Sequence, residues 1–98
     1  MTILSDHQSR LWQGMLQLVE EFQQGKLSYY EFVGKLESAL DAGEFKDRDL
    51  IDRWYDVWTP LEIARAQMGN SVNYDSVGHY VSDMKNFLKT VLDESHSG

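Results

Sequence analysis

With no cysteine in its 98 residues, the chain must draw any chemistry from histidine, carboxylate and hydroxyl side chains. Its histidines, His7, His79 and His96, are scattered. Asp75, His79 and Asp83 fall at helical spacing and would line one face. His79, however, lies about 200° around the helix from Val77, away from the apolar seam, so a polar outer face is the reading there rather than a metal site. No HExxH sequence, EF-hand loop or paired Glu-x-x-His motif occurs. Asp49, Asp52 and Asp56 also share a helix face. Acid–base catalysis would need them in a cleft with displaced pKa values, and Arg48 and Arg53 beside them point instead to a solvated, partly ion-paired surface. The seven glycines are isolated, and none builds a phosphate-cradling loop. These patterns predict a protein that is not an enzyme, with no metal and no cofactor.

The aromatic cluster Trp54, Tyr55 and Trp58 admits two readings. Sharing a face with Ile51, the three rings suit the centre of a core. Alternatively Tyr55 or Trp58 reaches an exposed groove, as large rigid side chains do at interaction hot spots. Asp49, Asp52, Asp56 and Glu62 would then ring that groove with negative charge and favour a basic partner.

The elements that must position these residues are helical. Gly25 suits a helix C-terminus, and Ser28 with Glu31 three residues on reads as a capping box. Leu27 and Phe32 fall at the positions of a hydrophobic staple, so the connection predicts an αα-hairpin. The first helix is expected from Asp6 to Gln24, capped by Ser5, with a stripe of Leu11, Met15, Leu18 and Phe22 widened by Trp12, Leu16 and Val19. The second is expected from Tyr29 to Asp41, with Tyr29, Phe32, Val33, Leu36 and Leu40 inward. Asp47 caps a third, Arg48 to Trp58. Thr59-Pro60-Leu61-Glu62 then reads as a fresh helix start, so the third helix either ends at Trp58 or kinks there. The new segment would run from Pro60 to Met68. From about Tyr74 to Asp93, Tyr74, Val77, Val81, Met84, Leu88 and Val91 alternate at spacings of three and four, and Glu94 to Gly98 should fray. The expected fold is all-α: a single domain, residues 1–98, forming an up-down bundle of four to five helices with short loops.

Net charge is −7, and residues 1–25, 26–43, 44–60 and 61–98 are each net acidic. Such a field disfavours nucleic acid and anionic lipid as partners. The first residues lack the basic start and long apolar run of a signal peptide, and no apolar run nears the roughly 20 residues that span a bilayer. A cytoplasmic protein with no membrane association is expected.

The segment Phe22 to Leu36, FQQGKLSYYEFVGKL, resembles the opening helix hairpin of small bacterial immunity proteins of the colicin D immunity type. The likeness rests on a phenylalanine, Gly25, Ser28, Glu31-Phe32 and the later leucines. It implies an acidic, helical, cytoplasmic bacterial protein that neutralises a basic nuclease toxin, and it carries no toxin-contacting residue over to this chain. From the residues themselves the expectation is a non-catalytic protein-binding module with a basic protein partner, binding through Asp49, Asp52, Asp56, Tyr55, Trp58 and Glu62. The alternative is a homo-oligomeric structural or scaffold protein, a homodimer for example, paired through the C-terminal helix seam.

Overall fold

The computed structural model describes residues 4–72 and 74–97, and of Tyr74, His96 and Ser97 only the backbone. Four helices follow one another: α1 (Asp6–Gln23), α2 (Tyr29–Ala42), α3 (Arg48–Met68) and α4 (Tyr74–Ser97), with a 3₁₀ turn at Gly69–Ser71. At about 1.5 Å per residue, the 24 residues of α4 run nearly the full 40 Å length of the molecule. The four helices form an all-α bundle of up-down hairpins, and no described residue is in a strand.

Local chemistry sets the helix starts. Ser5 accepts from the Gln8 amide while the Gln8 side chain accepts from the Ser5 amide, closing a capping box. Ser28 accepts from the Glu31 amide, but its hydroxyl, rather than its backbone N–H, meets the Glu31 carboxylate. Only half of the expected second box therefore forms. Asp47 accepts from the Leu50 amide and caps α3. Gly25, at φ +76°, takes the left-handed turn that ends the first hairpin arm.

Two further expectations are corrected. The stripe of α1 is turned from the one anticipated: Trp12, Met15, Val19 and Phe22 are buried, whereas Leu11 and Leu18 lie at its margins. Trp12 sets that rotation, because its indole Nε1 donates to the Leu88 carbonyl of α4 at 3.1 Å. The helix start at Thr59–Glu62 is absent, and α3 runs through Pro60 as one helix of 21 residues. A proline there removes the bond to the Asp56 carbonyl and costs about 3 kcal/mol. Buried Trp54 and Trp58 before it, and Leu61 and Ala64 after it, hold both halves against one core. At roughly 1.5–3 kcal/mol per buried side chain, that burial outweighs the lost bond.

The apolar pattern of α4 is inward: Val77, Val81, Met84, Leu88 and Val91 are all buried within this chain. The helix extends past Asp93 to Ser97. Expectations about the Tyr74 and His96 side chains, Asn73 and Gly98 lie outside the described residues. Among the described residues, no helix is long and apolar enough to cross a membrane.

Candidate functional site

Helix α3 presents three surfaces, and the expected site residues divide among them. Asp49, Asp52 and Asp56 point outward and are exposed. Asp49 is engaged by Arg53 at 3.7 Å, one turn on. Trp58 is only 6% exposed, and its Nε1 donates to the Val33 carbonyl of α2 at 3.1 Å. It belongs to the core and offers a partner little surface. Trp54, fully buried, stacks on Trp58 at 5.5 Å, and its own Nε1 has no acceptor among the described residues.

Tyr55 and Glu62 lie on the flank of α3 that meets α2. Tyr55 is half-buried, edge-on to both Trp54 and Trp58 at 5.1 and 5.6 Å. Partial burial raises the pKa of its phenol, and the Glu37 and Asp41 carboxylates and a hydrogen bond with Glu37 raise it further. The phenol is thus a proton-bearing donor set among carboxylates. Glu62 Oε2 is 2.6 Å from Arg65 Nη2, an attraction of charges without hydrogen-bond alignment. The Arg65 guanidinium lies over the Tyr30 ring at 5.0 Å. Gly34 admits it, because a Cβ there would stand 3.0 Å from Arg65 Nη1.

The α2–α3 seam is therefore polarised. At the Tyr30 end a cation is paired and stacked. At the other end Asp41, Glu44, Leu40, Phe45, Ile51 and Tyr55 line a shallow cavity of about 170 Å³. Gly43 and Glu44 shape it. The Phe45 ring occupies the space a Cβ at Gly43 would need and packs edge-on to Trp12 at 5.4 Å. Glu44 adopts φ +49°, the left-handed region.

Ion pairs among the described residues join Lys35 to Glu31, Arg53 to Asp49 and Arg65 to Glu62. None of these reaches Glu37, Asp41, Glu44, Asp52 or Asp56. A carboxylate cluster without its own cation, set around aromatic rings, attracts an incoming ammonium or guanidinium group. Sequence reading missed Glu37, Asp41 and Glu44. Their i, i+4 and i+7 spacing along one flank of α2 and its exit was the available signal, but only the packing of α2 against α3 turns that flank toward Tyr55.

No group of three or more His, Asp or Glu side chains among the described residues is gathered to hold a metal ion. Comparison with protein-family models, with curated proteins and with solved structures finds no match.

Proposed function

We propose that this chain is a small non-catalytic protein-binding module whose acidic α2–α3 face receives a basic protein partner. An immunity-type inhibitor covering a basic nuclease toxin is the form of that role consistent with the Phe22–Leu36 resemblance. One observation carries the reading: Glu37, Asp41 and Glu44 lie about Tyr55, Asp52 is exposed on the outer face of α3, and no cation among the described residues forms an ion pair with any of these carboxylates. Each new pair with an exposed carboxylate is worth about 0.2–1 kcal/mol, so the face acts through several pairs together. Such a surface gives a partner orientation and fast encounter as well as affinity.

The test immobilises the protein and an Asp41→Lys/Glu44→Lys/Asp52→Lys variant, exposes both to host extract, and washes each with rising salt. A basic protein held at low salt, released as screening sets in and absent from the variant is the expected result. Equal capture by the variant refutes the assignment of the face.

A further inference from the structure

The opposite flank of α3 carries a different feature. Pro60, Ile63, Ala64, Gln67 and Met68 of α3, with Ser76, Val77 and Tyr80 of α4, line an open groove of about 380 Å³. Ile63 and Met68 are 51% and 40% exposed, two of the large apolar side chains the bundle leaves outside. From Pro60 to Met68 the groove runs about 12 Å, two helical turns. A second helix laid there would complete a three-helix packing, with anchors at i, i+3 or i+4, and i+7.

The groove has a charged end. The short connection through Gly69–Ser71 makes α3 and α4 antiparallel, so Asp56 and Asp83 come level across the seam, each about a turn beyond Pro60 and Tyr80. Both are exposed; the Arg53 guanidinium lies about a turn further along the seam, over the Phe87 ring at 5.5 Å and 3.7 Å from Asp49, and no ion pair among the described residues engages Asp56 or Asp83. Pro60, lacking an N–H, leaves the Asp56 carbonyl without its usual helical donor at the same place. Two copies of this chain meeting groove to groove would bring these acids together in a protein already at −7. A cationic occupant meets them favourably.

We infer that the α3–α4 groove binds an amphipathic helix of a partner protein, its apolar anchors seated on Ile63, Met68 and Tyr80 and its Lys or Arg side chains, one turn beyond, paired with Asp56 and Asp83. This rests on the reading of the chain as a receptor for basic protein, and it assigns the partner's anchoring element to a surface separate from Tyr55.

The probe is a capped synthetic helix of about 16 residues with leucines at i, i+3 and i+7 and two arginines a turn further on. Binding is followed by amide chemical shifts of the intact protein. Saturable shifts centred on Ile63, Met68 and Tyr80 are expected, weakened at least tenfold when glutamates replace the peptide's arginines. Ile63→Asp, at an exposed position, and the Asp56→Lys/Asp83→Lys pair should each weaken binding to a similar degree, with helicity by circular dichroism unchanged. Asp41→Lys/Glu44→Lys should leave it intact. Absence of saturable groove shifts, equal affinity for both peptides, or indifference to Ile63→Asp overturns the inference. Shifts that map to Tyr55 and vanish in Asp41→Lys/Glu44→Lys overturn the groove alone and leave the acidic-face reading standing. A dimer in sedimentation that Ile63→Asp dissociates would put a second copy in the groove and equally overturn the inference.

Discussion

Replacing Tyr29 by phenylalanine gives a stability difference that changes sign with pH. The ring packs edge-on to Phe22 at 5.5 Å and beside Phe32, contacts a phenylalanine retains. What is lost is the hydroxyl, which donates to the Leu61 carbonyl of α3 at 2.7 Å. That carbonyl lies inside α3 and keeps its helical donor, so the substitution orphans no acceptor and costs about 1 kcal/mol at neutral pH. Alkali reverses the balance. Burial, then the Glu62 carboxylate, push the Tyr29 phenol up to about 12 from 10.0, against a smaller lowering by Arg65. Between those values the folded chain holds a proton that the unfolded chain has released. The stability linked to this phenol is therefore full below pH 10 and falls as pH rises toward 12. The loss is roughly 1.4 kcal/mol by pH 11 and 2–3 kcal/mol in total. Tyr29→Phe escapes it. The variant should be less stable by about 1 kcal/mol at pH 8 and should match the parent near pH 11. Urea unfolding followed by far-ultraviolet circular dichroism measures both, and all other titrations cancel in the difference. A parent–variant difference that stays constant from pH 8 to pH 11 would refute the picture of a buried phenol bonded across the α2–α3 seam.

Pro60→Ala restores a donor for the Asp56 carbonyl inside a continuous helix, and the urea midpoint should rise by the equivalent of about 1–3 kcal/mol; a fall would mean that the proline ring's groove contacts outweigh the bond. Glu44→Gly removes the left-handed strain at φ +49° and should stabilise the chain by up to about 1 kcal/mol in the same assay, whereas a loss would show that the Glu44 side chain contributes to folding.

The fold was legible because the starts of α1, α2 and α3 carry their own chemistry. Ser5, Ser28 and Asp47 all cap the helices that follow them, and the three–four alternation of α4 from Val77 to Val91 marks side chains that are all buried. Position along the chain was readable, but rotation about each axis was less so. Leu11 and Leu18 are as apolar as Met15 and Val19, and long-range partners settle which of them turn inward: Trp12 packs against Phe45 and Phe87 and bonds to Leu88, and Phe22 stacks on Phe32. At Pro60 a Thr-Pro-Leu-Glu pattern of the kind that favours a helix start sits within a helix, because caps report local preference and the core on either side overrides it. Of the six expected site residues, Asp52, Asp56 and Tyr55 present free polar groups or half-exposed surface. Asp49 and Glu62 are engaged by neighbouring arginines, and Trp58 is buried. Glu37, Asp41 and Glu44 were hidden because a carboxylate on an outer helix face looks like any solubilising charge until the adjacent helix is placed.

Three aromatic side chains tie one helix to the backbone of another: Trp12 to Leu88, Tyr29 to Leu61 and Trp58 to Val33. Each bond selects a carbonyl, hence a height along the neighbouring helix, without regard to which side chain stands there. Sliding either helix by a single residue, about 1.5 Å, would leave a buried indole or phenol proton with nothing to meet. The bundle therefore carries vernier marks written in its backbone: the three bonds need only the carbonyls of 33, 61 and 88, while the buried side chains at those positions answer separately to the packing of the core.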